Sequence, residues 1–499
     1  MSTILKNPII YSDVPDVDVI RVGNAYYMVS TTMHVFPGCP VMKSTDLAHW
    51  EIVSYIFDIL EEDERCTLAD GIGIYGSGQW ATALREHNGK FYAFFSCNNT
   101  RQFYIYETED IEKGPWSRKN IPQLLHDPGV LFDDGKVFVI CNCGDIRIVE
   151  LNSDLTGFKE GGIDQPLFST PKENIGLRCE GCHAYKLNGS YYLLYIEWPT
   201  DGHARRRVVC YRSKELLGPY ERKIVFDDDM GYLNKGIAQG GLFDTPDGDW
   251  YVMLFQDRDA VGRCPFILPV TWEDGWPMIG FDGKAKEFFE VPMEEHRGAP
   301  IVTDDDFDYE ENKLALQWQW NHNPDNANWS VTKKKGYLRL TTGHLTNCVV
   351  SARNTLTQRT MGPKTTAYTV LETSGMKDGD YAGMVALQSN FGTVGVKKEG
   401  DKSFITMTVK DGMGGEKEKA KIAIDTDKVY FKIFFDFENS KDEAEFYYSL
   451  DGGTYEKIGI TLKMLYTLDH FMGYRIGLYN YATKITGGYA DFDYLKIEY

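Results

Sequence analysis

One pattern of hydrophobic and polar positions occurs five times in about the first 260 residues. In each copy an apolar run meets a polar turn containing a glycine, and a second apolar run rich in aromatic residues follows. The turn glycines are Gly23, Gly89, Gly135, Gly189 and Gly248. Such runs around glycine turns predict β-hairpins, and self-similarity at about 50 residues predicts a repeat array such as a propeller. We therefore predict a five-bladed β-propeller with four strands in each blade.

The pattern changes after residue 280. Residues 296–304 lie in a charged, irregular stretch that contains proline, which is typical of a linker. Beyond it, short strand-like runs such as GYLRLTTG and KVYFKIFFDF recur at regular spacing and predict an antiparallel β-sandwich of the jelly-roll or concanavalin-like type. The sequence thus predicts an all-β protein with a propeller domain at 1–295, a linker at 296–304 and a sandwich domain at 305–499.

Charge and composition limit the kinds of partner and the cellular location that we expect for this protein. A net charge of −20 argues against nucleic acid or an anionic membrane as partner, and no apolar run reaches the ~20 residues that span a bilayer. The first residues lack a basic region followed by an apolar core, and ten cysteines are scattered along the chain. We therefore expect reduced thiols and a cytoplasmic location. The oligomeric state is left open.

Five residues occupy one equivalent position in the repeats. Seven to nine residues before the turn glycines stand Asp16, Trp80, Asp127, Glu180 and Gln239. Three of them are carboxylates at the start of an apolar strand, where a charge is costly unless it is paired or faces water. Because the first strands of propeller blades surround the central axis, we predict that the three carboxylates converge on one pocket.

Carboxylates in different environments suit the hydrolysis of a glycosidic bond. One carboxylic acid with a raised pKa protonates the departing oxygen, and an ionised carboxylate activates water. In inverting enzymes these two carboxyl groups stand about 6.5–9.5 Å apart, which leaves room for the water. A third carboxylate raises the acid's pKa by repulsion. The alternative for any single acid is a turn cap. A non-catalytic, sugar-binding propeller would keep the repeats without needing three acids at one position.

Two cysteine pairs offer a different chemistry. Cys179-x-x-Cys182 brackets one of the acids, and Cys141-x-Cys143 lies one repeat earlier, so together they could in principle bind zinc. However, both pairs lie in strand-like runs, and the second spacing does not fit a zinc knuckle. Small apolar core residues are the preferred interpretation of these thiols.

An ordered set of motifs resembles a known family. The motifs are NPIIYSDVPDVDVIRVGNAYYM, HDPG, CEGCHAYKLNGSYYLL, GRCPFILPVTWEDGWP and, in the second domain, LQWQWNHNPDNANW. Together they resemble glycoside hydrolase family 43, the five-bladed β-xylosidases and α-L-arabinofuranosidases. The resemblance implies an exo-acting, inverting enzyme that releases terminal α-L-arabinofuranosyl residues from arabinoxylan or its oligosaccharides. β-D-Xylosidase activity on xylooligosaccharides, alone or in the same site, is the alternative.

The resemblance also implies roles for individual residues. It makes Asp16 the general base, Glu180 the general acid and Asp127 the residue that tunes the acid's pKa. It further implies that the substrate is contacted by Trp80, Arg263, Phe36, Met33 and His34. Without the resemblance, these side chains would be assigned to core packing, a salt bridge or a buried turn.

The sequence departs from the family pattern at three places. The usual Pro-Asp-Pro is Pro15-Asp16-Val17, and Met33-His34-Val35 replaces a Phe-Glu-Trp found in many β-xylosidases. Gln239 stands where many relatives have a histidine that holds a central calcium ion through water. Because calcium accepts carbonyl oxygen ligands, the sequence leaves open a central Ca²⁺ site that includes Gln239.

Overall fold

The chain forms two all-β domains. The computed structural model describes residues 2–412 and 414–499. It contains five four-stranded sheets, a two-stranded sheet and two eight-stranded sheets. This confirms the prediction of a five-bladed β-propeller followed by a β-sandwich. In the described ranges, no helix is both long and apolar enough to cross a bilayer.

The propeller strands follow one another blade by blade. The first six are β1 (Thr3–Lys6), β2 (Asp18–Val22), β3 (Ala25–Val29), β4 (Val35–Phe36), β5 (Gly38–Ser44) and β6 (Glu51–Phe57). β2, β3, β5 and β6 form blade I. Blade II contains β7 (Gln79–His87), β8 (Lys90–Cys97), β9 (Gln102–Thr108) and β10 (Ser117–Ile121). Blade III contains β11 (Gly129–Asp133), β12 (Lys136–Cys141), β13 (Asp145–Leu151) and β14 (Asp164–Ser169).

Two further blades complete the propeller. Blade IV contains β15 (Ile175–Leu187), β16 (Ser190–Pro199), β17 (Arg207–Ser213) and β18 (Glu221–Phe226). Blade V contains β19 (Leu242–Asp244), β20 (Trp250–Asp257), β21 (Arg263–Glu273) and β22 (Trp276–Ile279). β23 (Phe288–Val291) pairs with β1. First strands of neighbouring blades pack together, β2 against β7 and β19, and β11 against β7 and β15, so they surround a central axis.

The predicted hairpin turns join the first two strands of each blade. In blade II, Asn88 has φ 54° and Gly89 has φ 77°. Two consecutive residues with positive φ form a type I′ turn, whose twist matches that of the flanking strands. A side chain at Gly89 would meet nothing within 4 Å, so backbone conformation rather than space favours glycine there.

The C-terminal domain is built from two facing sheets. The first contains β24 (Gln319–Asn321), β27 (Leu356–Arg359), β29 (Asp380–Leu387), β30 (Phe391–Glu399), β31 (Lys402–Lys410), β32 (Lys417–Ile424) and β37 (Arg475–Ala482). The second contains β25 (Trp329–Ser330), β26 (Leu338–Thr341), β28 (Lys364–Glu372), β33 (Lys428–Asp436), β34 (Glu443–Ser449), β35 (Glu456–Lys457), β36 (Leu462–Lys463) and β38 (Tyr489–Glu498). Alternate residues of β33 are buried, as expected for a strand with one face on a core.

The remaining regular elements are short 3₁₀ turns. They are Glu64–Thr67, Ala69–Gly71, Asp259–Val261, Val349–Ser351 and Glu438–Ser440.

The two domains share a sheet and a core. β4, in the connection between β3 and β5, pairs with β24, so the first sandwich sheet continues onto the propeller. One hydrophobic cluster includes Val14 and Val261 of the propeller together with Leu356 and Tyr474 of the sandwich. Residues 292–304 contain no strand and run along blade I, where the His296 amide donates to Asp46 at 2.8 Å. This docking fixes the sandwich beside the propeller axis.

Candidate active site

The five equivalent positions all depart from regular strand geometry. Asp16, Asp127 and Gln239 have φ values of 51°, 47° and 61°, a region that residues other than glycine rarely adopt. In blades II and IV, Trp80 and Glu180 instead lie where the strand register shifts. Such bulges redirect side chains and are frequent beside functional sites. The repeated departure supports treating these five residues as structural equivalents.

Asp16 is held by three side chains. Its side chain is 5% exposed. The Thr31 hydroxyl donates to Oδ2 at 2.7 Å, Nη1 of Arg263 donates to Oδ1 at 2.6 Å, and the Gln239 amide approaches Oδ1 at 3.4 Å. Nε and Nη2 of Arg263 are buried without a partner among the described residues. The arrangement fixes the carboxylate and leaves two guanidinium nitrogens without a hydrogen bond to the described residues.

Asp127 and Glu180 come together through the backbone. The amide of Gly181, the residue after Glu180, donates to Asp127 Oδ2 at 2.9 Å. Burial raises the pKa of Asp127; the charge of His126 opposes this, and the nearby Glu180 and Asp16 reinforce it. The Glu180 side chain is 26% exposed, whereas that of Asp127 is 7% exposed. Glu180 is therefore the carboxyl that a ligand can reach, and Asp127 is the one beneath it.

His126 is a site residue that sequence reasoning missed. Its Nε2 lies 3.4 Å from Glu180 Oε2, and its Nδ1 lies 3.7 Å from Asp127 Oδ1. The charge of Asp127 raises the pKa of His126 to about 9, against the effect of burial and with help from Glu180. The only signal in the sequence was its position immediately before Asp127, within the HDPG motif.

A loop of the sandwich forms one wall of the site. The Phe471 ring stacks on Trp80 with centroids 5.4 Å apart, and the Arg263 guanidinium lies 4.7 Å from the Phe471 centroid. Tyr466 lies beside Phe471, with their ring centroids 6.1 Å apart. The Gly473 amide donates to Asp13 of the propeller at 3.0 Å and anchors this loop. No sequence signal pointed to Phe471 or Tyr466, because both are almost 400 residues from Trp80.

Three residues predicted to contact the substrate lie beneath the surface. Met33 and His34 are each 1% exposed, and Phe36 is 0% exposed. Pairing of β4 with the sandwich covers this segment, and the His34 ring packs on Tyr75 and His322. The structure places these three side chains beneath the surface, and their contact with a substrate stays a prediction. Trp80 and Arg263, by contrast, lie beside the carboxylates.

A separate ion pair fills the axis next to the site. Asp18 is fully buried and accepts from Arg85 Nη1 at 2.6 Å, and it lies 3.0 Å from His183 Nδ1. Although burial acts to raise it, the pKa of Asp18 is lowered to about 2 by Arg85 and His183. Asp18 is thus a structural carboxylate. Its position near the axis does not distinguish it from the functional carboxylates, but its ion pair with Arg85 and His183 does.

The donors around Gln239 do not suit a calcium ion. Calcium takes six to eight oxygen ligands, but the nearby Asp16 carboxylate is already bound by Thr31 and Arg263. The Gln239 side chain packs closely against Gly181, where an added Cβ would lie 2.6 Å from its Cδ.

Comparisons with known proteins agree with the architecture. The sequence model described as "Glycosyl hydrolases family 43" matches residues 5–277, and that described as "Beta xylosidase C-terminal Concanavalin A-like domain" matches residues 304–498. The chain is 30% identical to a β-xylosidase of Formosa agariphila, over 99% of this chain and 90% of that protein. It is 32% identical to a non-reducing end α-L-arabinofuranosidase of Bacteroides ovatus, over 67% of this chain and 64% of that protein.

A solved structure matches the whole chain. The bifunctional GH43-CE protein of Bacteroides eggerthii superposes with a TM-score of 0.94 at 45% sequence identity. The match covers 100% of this chain and 64% of that one, so the present chain spans about two thirds of that protein's length.

Proposed function

Because this chain belongs to glycosyl hydrolases family 43 and is a glycosidase, we propose that it is an exo-acting, inverting α-L-arabinofuranosidase. Its substrate would be arabinoxylan or the oligosaccharides derived from it. The observation that carries the proposal is the division of the site into two carboxyl environments. Asp16 is bound by Arg263, whereas Glu180 is partly exposed above a buried Asp127.

The two environments suit direct displacement by water. Asp16, positioned by hydrogen bonds from Arg263 and Thr31, would take a proton from the attacking water. Glu180 would donate a proton to the departing glycosidic oxygen. Asp127 would orient Glu180 through the Gly181 amide, and its charge would favour the protonated form of the acid.

Closure of the pocket by the sandwich supports exo action. Phe471 stacks on Trp80 and covers Arg263, so aromatic rings close one side of the site. A pocket closed on one side accepts a terminal sugar more readily than the middle of a polymer. Stacking of sugars on aromatic rings would orient that terminal residue.

β-D-Xylosidase activity is the second candidate. The Formosa agariphila relative bears the name β-xylosidase, and terminal arabinofuranosyl and xylosyl groups present similar hydroxyl patterns. The same acid, base and Arg263 could serve both sugars.

Initial rates on two chromogenic substrates test the choice. We expect faster hydrolysis of 4-nitrophenyl α-L-arabinofuranoside than of 4-nitrophenyl β-D-xyloside, and equal rates with and without a chelator. Proton NMR in early turnover should show the inverted anomer first. A faster reaction with the xyloside would favour the second candidate, and early appearance of the retained anomer would overturn the inverting mechanism.

Replacing Phe471 with alanine tests the closure. Loss of the ring from Trp80 and Arg263 should lower kcat/KM about 10-fold, since an aromatic pair contributes about 0.5–1.5 kcal/mol beyond area burial. The effect should lie mainly in KM, because Phe471 does not contact a carboxylate. Phe437→Ala, in the buried core of the sandwich, is the control: it should lower the melting temperature without raising KM. Unchanged kcat/KM in Phe471→Ala would argue against a closed pocket.

A further inference from the structure

His126 lies between two carboxyl groups. Nε2 faces Glu180 Oε2 at 3.4 Å, and Nδ1 faces Asp127 Oδ1 at 3.7 Å. The centroid of the Trp80 ring lies 6.5 Å from that of His126. The charge of Asp16, farther away, also helps to raise the pKa of His126. The Cys143 thiol is also near Glu180. The described ionisable groups that face His126 are thus acidic, and its side chain is 29% exposed.

An inverting reaction poses a problem of proton supply for this acid. In each turnover Glu180 gives its proton to the departing oxygen, and Asp16 gains one from water. Glu180 must then be reprotonated before the next substrate. An imidazolium within reach of its oxygen is a direct source.

We propose that His126 is a positioning residue that stores the proton of the general acid and delivers it to Glu180. The inference rests on the proposed roles of Glu180 and Asp16. In the delivery step the Nε2–H bond breaks, its electron pair stays on Nε2, and an O–H bond forms at Glu180 Oε2. The imidazolium becomes neutral and the carboxylate becomes a carboxylic acid. After turnover, His126 takes a proton from solvent and Asp16 releases one to solvent, so the cycle is balanced.

Substrate binding would drive the delivery. In the open pocket, water solvates the Glu180 carboxylate and the His126 imidazolium as an ion pair. A sugar that displaces this water makes a charged pair costly relative to a neutral one. The proton therefore moves to Glu180 when the glycosidic oxygen is in place. The raised pKa of His126 means that the store is filled at neutral pH.

The storage role predicts a specific change in pH dependence. The alkaline limb of the pH profile of kcat/KM reports loss of the proton that His126 and Glu180 share. Its apparent pKa belongs to the pair and not to either residue. In His126→Gln, a carboxyl group alone must hold that proton. We expect the alkaline limb to move to lower pH by about 1 unit or more, since the ordinary pKa of a carboxyl group lies well below that of imidazole.

Leaving-group dependence provides the second readout. For His126→Gln we expect kcat/KM on an unactivated oligosaccharide to fall about 10-fold to 100-fold, a part of the usual contribution of general acid catalysis. On a 2,4-dinitrophenyl glycoside, which needs little protonation, the fall should be less than about 3-fold. His87→Gln is the matched control, because His87 stacks on Phe132 at the far end of β7. It should change neither readout.

Glu180→Gln separates failure of this inference from failure of the proposed function. It should lose far more activity on the oligosaccharide than on the dinitrophenyl glycoside. If Glu180→Gln shows this difference between the two substrates and His126→Gln does not, the storage role is overturned but the proposed function stands. The same holds if the alkaline limb of the pH profile of His126→Gln does not move. If Glu180→Gln shows no leaving-group dependence, the assignment of the acid falls and the storage role with it. Should His126→Gln fold poorly, His126→Asn serves the same measurements.

Discussion

Asp16→Asn is expected to lower kcat by about 10³-fold, within the range that general base catalysis contributes. The amide keeps the shape of the carboxylate but cannot accept a proton from water. The amide oxygen can still accept from the Arg263 guanidinium, and the amide NH2 group would face the Thr31 hydroxyl, which can accept instead of donating. Substrate binding should survive, so KM should change little. Steady-state kinetics on the arabinofuranoside, together with the melting temperature, measure the effect.

Stability is the confounding factor in this experiment. Breaking the buried pair between Asp16 and Arg263 leaves a guanidinium without its counter-charge, which costs about 3–5 kcal/mol in comparable cases. Asp18→Asn is the matched control: it lies on the same blade, is fully buried and is paired with Arg85 and His183. It should lower the melting temperature while keeping kcat within about 10-fold. If Asp16→Asn keeps more than a tenth of the turnover, or Asp18→Asn loses as much, Asp16 is not the base.

The contrast between these two aspartates shows what the sequence could predict. Hairpin turns with Asn-Gly and Asp-Gly pairs, repeated at intervals of 46 to 66 residues, were sufficient to predict five blades and the equivalence of Asp16, Asp127 and Glu180. Local rules determine both, because turn chemistry and strand alternation act over a few residues. The same rules do not distinguish Asp16 from Asp18, since their partners, Arg263 and Arg85, come from other blades.

Contacts between the domains were beyond the reach of the sequence. The stacking of Phe471 on Trp80 joins residues 391 positions apart (471 − 80), and no periodicity predicts it. Likewise, no local pattern shows that Met33, His34 and Phe36 are buried, because the pairing of β4 with β24 that covers them is a tertiary contact. His126 was missed because its role depends on Glu180, a residue of the next blade.

Arg263→Met is expected to lower kcat/KM about 10²-fold to 10³-fold, the usual effect of removing one preorganised electrostatic donor. Arg263 joins three parts of the site. It binds the Asp16 carboxylate and lies under the Phe471 ring, and its Nε and Nη2 have no partner among the residues that the structure describes. Methionine keeps the apolar contact with Phe471 but removes every donor. Arg263→Lys should recover only part of the activity, because lysine keeps the charge but lacks the planar fork.

Arg258→Met controls for the loss of a buried arginine. Arg258 is 8% exposed and packs on Tyr11, Tyr232 and Phe266 near the same loop, without contacting a site carboxylate. It should reduce stability and leave kcat/KM within about 3-fold. If Arg263→Met behaves in the same way, the unpartnered donors have no ligand and Arg263 serves the fold alone. If only Arg263→Met loses turnover, and lysine restores part of it, the buried guanidinium acts both on the base and on the sugar. That result would explain why the propeller and the sandwich meet at this residue.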